Sequence, residues 1–176
     1  MKVLPYAFLA SILAFSSAFA TAAEVKDVSP AKTAASVQMT SQQELIDLFF
    51  AAAKIGNSEV INEFLKHGFP VDVRNQDGYT PLMMATYYGH QDIVTTLLAK
   101  GADRCARDNR GNTALMGALF KMEFAIAKQL RQVDCDVQAQ KTGQKTTAEF
   151  AKVIGQEKQL QKLIQEQEKA QTNTQK

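Results

Sequence analysis

The sequence contains no Trp, only four Pro, two Cys and two His among its 176 residues. So few cysteines exclude a disulfide-dense scaffold or a zinc ribbon, and nine Gly without a three-residue period exclude a collagen-like chain. An excess of either charge is missing too, since 20 Lys+Arg stand against 18 Asp+Glu. With no basic block along the chain, nucleic acid is not an expected partner. There is no phosphate-cradling glycine loop, no GxSxG, no HExxH and no carboxylate pair at a shared site. His67 and His90 each stand near a glycine at an expected helix end. A metal centre or a His-activated nucleophile needs such groups to converge, so no catalytic residue, metal ligand or cofactor is assigned.

Long hydrophobic runs are absent as well. The apolar stretch from about Val3 to Phe15 follows Lys2 and precedes the small residues Ala18-Phe19-Ala20. It falls short of the roughly 20 residues that cross a bilayer, and its order is that of a cleavable secretory signal. Residues 1–20 are therefore expected to be removed on export, leaving no stable membrane insertion. Residues 21–40 are small, polar and interrupted by Pro30, so they cannot bury enough apolar area to offset ordering entropy and are expected as a flexible linker. Ser41 and Glu44 have capping-box spacing, which places the start of a folded domain over 41–164. From Gln165 the apolar stripe stops, and 165–176 is expected as a disordered tail.

What is present is a period of 33. Ala52, Ala85, Ala118 and Ala151 fall on it, as do Phe64, Leu97, Leu130 and Leu163, and Ile61, Val94, Ala127 and Leu160. Thr80, Thr113 and Thr146 follow, and Gly56, Gly89 and Gly155 are in phase with Met122 in the missing place. Four units result, near 42–74, 75–107, 108–140 and 141–164, and such self-similarity marks a repeat solenoid. Within a unit, Thr80 is placed to cap a helix opening at Pro81, and Gly89 is placed to end it. Ile93, Val94, Leu97 and Leu98 then share one face of a second helix, which ends at Gly101. A polar stretch, ADRCARDNRG, leads to the next unit as an extended return.

The segment DGYTPLMMATYYGHQDIVTTLLAKGAD, from Asp77 to Asp103, resembles an ankyrin repeat in its Gly78, Thr80-Pro81-Leu82, Ala85, Gly89-His90, Ile93-Val94, Leu97-Leu98 and Gly101-Ala102-Asp103. Asp108 to Asp136 repeats this more loosely, and the flanking units look like diverged ends. The resemblance implies an all-α ankyrin solenoid. The phrases GADRCARDNRGNTALMGALFK and VDCD are in addition similar to small periplasmic ankyrin proteins of Gram-negative bacteria, some encoded beside catalases. Several departures are informative. Met83 and Met116 replace the family's His, which removes a bond back to the turn. Met122 stands where Gly would take a positive φ, a strain on the order of 1 kcal/mol or more. Asp134 occupies the place of Gly101, and Asp tolerates that conformation better than most residues.

Cys105 and Cys135 are expected at one edge of adjacent units, where an oxidising compartment favours a disulfide; two buried thiols are the other reading. Ankyrin domains meet partners through hairpin tips and the inner face of the first helices. The resemblance thus nominates Gln76, Asp77, Tyr79, Tyr87, Tyr88, Asn109, Arg110, Asn112, Phe120 and Lys121. It implies a monomeric, non-enzymatic periplasmic protein that binds another protein. Support of an oxidative-stress enzyme such as catalase is one use it suggests. Inhibition or escort of a cell-envelope enzyme such as a peptidoglycan hydrolase is the other.

Overall fold

The computed structural model describes residues 30–174, with side chains from 41 to 172. The expected signal segment 1–20, the first part of the expected linker and the last two residues lie outside the described residues. The helices are α1 (Pro30–Ile55), α2 (Ser58–Lys66), α3 (Pro81–Tyr87), α4 (Gln91–Ala99), α5 (Ala114–Lys121), α6 (Phe124–Leu130), α7 (Asp136–Thr142), α8 (Thr147–Val153) and α9 (Glu157–Thr174). No strand occurs among the described residues. Four helix pairs stack into a solenoid. Helices α1, α3, α5 and α8 form one row, while α2, α4, α6 and α9 form the other.

Threonines set the start of the inner helices. The hydroxyls of Thr80, Thr113 and Thr146 accept from the amides of Met83 (3.3 Å), Met116 (3.4 Å) and Glu149 (3.1 Å), satisfying donors that a helix start leaves free. The 33-residue columns form the core: Ala52, Ala85, Ala118 and Ala151 let the inner helices approach closely, and Ile61, Val94, Ala127 and Leu160 fill behind them. Phe64 is the exception within its column, being only partly buried. It instead joins Phe49 and Phe69, with ring centroids 4.9–5.2 Å apart, in an aromatic plug over the first unit.

The missing histidine bonds are replaced by other ties. The Sδ of Met116 accepts from the Thr113 amide at 3.5 Å. Arg74 donates from Nη1 to the carbonyls of Gly78 (3.0 Å) and Arg107 (2.6 Å), and Arg107 repeats this with Gly111 (2.6 Å) and Lys145 (2.9 Å). Each arginine thereby closes its own hairpin and clamps the next.

Three stretches differ from the sequence reading. Helix α1 begins at Pro30, so Ser41 and Glu44 lie inside it and cap no helix start. Proline is well suited to a first turn, and the Ala-rich residues behind it propagate a helix readily. Helix α9 continues to Thr174 through the expected tail, carried by Gln, Glu, Lys and Ala and tied to α6 by Lys128–Glu166 at 3.5 Å. Asp134 does not take a left-handed conformation, because Met122, at φ 61°, is the only non-glycine with positive φ among the described residues. The chain turns instead into α7, whose Asp136 carboxylate accepts from the amide (2.7 Å) and hydroxyl (2.8 Å) of Thr147.

Candidate partner-binding face

The exposed surface of the inner row carries three aromatic rings that no core position needs. Tyr87, Tyr88 and Phe120 are 39%, 44% and 55% exposed. Tyr87 and Phe120 lie in the last turns of α3 and α5, on the side of the helix opposite Ala85 and Ala118, and Tyr88 is the C-cap residue that follows α3. Tyr87 meets Tyr88 edge-on at 5.4 Å and lies nearly parallel to Phe120 at 6.5 Å. Two ammonium groups cover the strip, Lys121 at 4.9 Å from the Tyr87 ring and Lys54 at 5.5 Å from that of Tyr88.

Beside this strip runs a groove of about 260 Å3, lined by Tyr79, Met83, Tyr87, Gly117, Phe120, Phe150 and Ile154 and rimmed by Asp108, Arg110 and Asn112. Its volume lies below the roughly 300–1,000 Å3 of typical small-molecule sites. One or two side chains would fill it. Arg110, Gln76 and Asp77 are exposed at the hairpin tips, as the sequence predicts.

The fold itself uses the remaining nominated residues. Asn109 donates from Nδ2 to the Gln76 carbonyl (2.9 Å) and from its amide to the Asp77 carbonyl (3.0 Å), joining two tips. Asn112 donates to the Asp108 carboxylate at 3.0 Å and accepts from Lys145 Nζ at 3.0 Å. Tyr79 is half-buried against the core. The sequence reading missed Met83, Gly117, Phe150 and Ile154. For Gly117 a signal was available, because the 33-residue column places it between Met84 and Phe150.

The titratable groups support architecture. His67 pairs with Glu63 at 2.8 Å, and a His90 ring nitrogen meets the Lys54 carbonyl at 2.8 Å. The Thr146 amide and hydroxyl hold the Glu149 carboxyl below its ordinary value. Burial pushes Asp72 up, opposed by the Asp103 amide that it accepts from. The Ser58 hydroxyl, donating to Asp92, lowers that carboxyl. No group of three or more His, Cys, Asp or Glu placed to hold a metal occurs among the described residues. No described helix is long and apolar enough to cross a membrane.

Cys105 and Cys135 are paired as a disulfide, with Cα atoms 5.3 Å apart. The bond joins the return after the second unit to the N-terminal cap of α7.

Residues 48–141 match the family model for ankyrin repeats, in three copies, over more than half of the chain. Protein HOS4 of Saccharomyces cerevisiae is 44% identical over 73 residues, covering 40% of this chain and 7% of that protein. The ankyrin repeat-containing protein P1E11.10 of Schizosaccharomyces pombe is 35% identical over 74 residues, covering 42% and 35% respectively. The ankyrin repeat protein PA3287 of Pseudomonas aeruginosa is 40% identical over 52 residues, covering 30% of each. The alignments thus span 35% or less of these relatives' own lengths. The family match ends before α8 and α9, which stack as a fourth helix pair.

Proposed function

Since this chain belongs to the ankyrin-repeat family, whose repeats serve as protein–protein interaction modules, we propose that it binds a partner protein through the face built by α3, α5 and α8. The observation that carries this reading is the exposed Tyr87–Tyr88–Phe120 strip under Lys54 and Lys121. Exposed aromatic side chains are enriched at protein interfaces, and Tyr is among the residues enriched in hot spots.

In this reading the protein acts as a monomer in the periplasm after loss of residues 1–20, and has no catalytic role of its own. The apolar run behind Lys2 supports export, and the Cys105–Cys135 pairing suits an oxidising compartment. The likeness of the Gly101–Lys121 stretch to periplasmic ankyrin proteins favours support of an oxidative-stress enzyme such as catalase. Restraint of a peptidoglycan hydrolase is the alternative. Crosslinked affinity capture from periplasmic extract, run with the wild-type chain and with Tyr87→Ala/Phe120→Ala, tests both. A catalase retained by the wild type and lost from the variant supports the first use, and a hydrolase so retained supports the second. Equal capture by both chains removes the face from the account.

A further inference from the structure

Gly117 is the one glycine of nine that the backbone does not require. The other eight have positive φ, whereas Gly117 sits inside α5 with nothing within 4 Å of where its Cβ would be. A glycine there weakens the helix relative to alanine, because it has more backbone freedom to lose. The same position carries Met84 in the second unit and Phe150 in the fourth. Its absent side chain leaves a notch between Tyr87, Phe120 and Phe150.

Three cations stand around the notch. Arg110 is on its rim, Lys121 lies over Tyr87, and Lys145 is 5.6 Å from the Phe150 ring. None of these cations forms an ion pair with a carboxylate of the described residues. The lining carboxylate, Asp108, is 7% exposed and turned into its own hairpin. Its Oδ1 accepts from the Arg110 (2.9 Å) and Asn112 (2.7 Å) amides, and Oδ2 from the Asn112 side chain.

We propose that the Gly117 notch is a specificity pocket for an acidic peptide segment of the partner, which inserts one aromatic or branched aliphatic side chain flanked by carboxylates. This rests on the concave-face reading above and adds the chemistry of the occupant. The apolar walls take the anchor side chain. Arg110, Lys121 and Lys145 meet the flanking carboxylates, which steer encounter and reject basic segments.

The test is selection from a phage-displayed random dodecapeptide library on the full exported chain, followed by affinity measurement of the enriched peptides. The expected result is enrichment of Phe, Tyr, Leu or Ile beside Asp and Glu, with binding that weakens as salt rises. Gly117→Phe, which restores the residue of the fourth unit, should lower affinity about tenfold or more. Arg110→Glu/Lys121→Glu, at exposed positions, should do the same without filling the notch. Circular dichroism verifies the fold of each variant. Neutral or basic peptides that Gly117→Phe blocks and charge reversal spares would overturn the acidic chemistry and leave concave-face binding standing. Peptides indifferent to Gly117→Phe and also to Tyr87→Ala/Phe120→Ala would overturn both. Failure to enrich any peptide would overturn the claim that a short segment occupies the notch, while the capture experiment still decides the face.

Discussion

Replacing Met122 by Gly should stabilise the protein, although it deletes a large hydrophobic side chain. Met122 ends α5 at φ 61°, ψ 27°, a conformation its counterparts Gly56, Gly89 and Gly155 adopt at φ 73–84°. The left-handed region costs an L-residue roughly 1–2 kcal/mol, and glycine gives back about 0.5–1 kcal/mol through the greater freedom of the unfolded chain. The side chain is 62% exposed, so little packing is lost with it. The net gain is about 0.5–1 kcal/mol, read as a higher urea midpoint at unchanged slope with the disulfide intact. The reverse change, Gly89→Met, meets the same backbone cost and also places a Cβ 2.7 Å from Glu123 Oε1, so it should destabilise. A loss of 1 kcal/mol or so in Met122→Gly would refute the reasoning, because it would mean that the side chain packs more than its exposure indicates.

Removing the disulfide with Cys105→Ser/Cys135→Ser should cost about 3–4 kcal/mol by loop-closure entropy for a separation of 30 residues, seen as a lower melting temperature matched by reducing the wild type. Unchanged melting would show the pairing to be energetically idle. The Asp92 carboxyl, lowered by Ser58, contributes stability that is present above its ordinary value of 3.8 and lost as pH falls through the depressed folded value. Ser58→Ala should move its titration upward in carboxyl NMR, and an unmoved titration would remove the hydroxyl as the cause. Intact-mass measurement of exported protein should find an N-terminus near Thr21; full-length chain in the cytoplasm would sink the export proposal.

The inner helices were legible in the sequence because their determinants are local. Thr80, Thr113 and Thr146 cap from within their own first turn, and the alanine column needs only a period to be seen. Helix α7 was not legible, since Asp136 acts by capping α8 from eleven residues away. The start of α1 was misplaced because a capping-box pattern at Ser41 also fits a helix interior. At the candidate face, the aromatic residues were legible because they fall outside the core pattern. The tip residue Asn109 did not reveal that the turns use it, because its partner, Gln76, is 33 residues distant. Gly117 was visible as a gap in a column, and only the neighbouring units turn that gap into a notch.

The exposed aromatic strip is proposed to bind protein. The most direct measurement is the affinity of the captured partner for the wild-type chain and for Tyr87→Ala/Phe120→Ala. Truncating both rings should weaken binding by about 2 kcal/mol in total, roughly thirtyfold, with helical circular dichroism and melting nearly unchanged. Undiminished affinity with the fold intact would contradict the account, and unfolding of the double variant would show that these rings belong to the core.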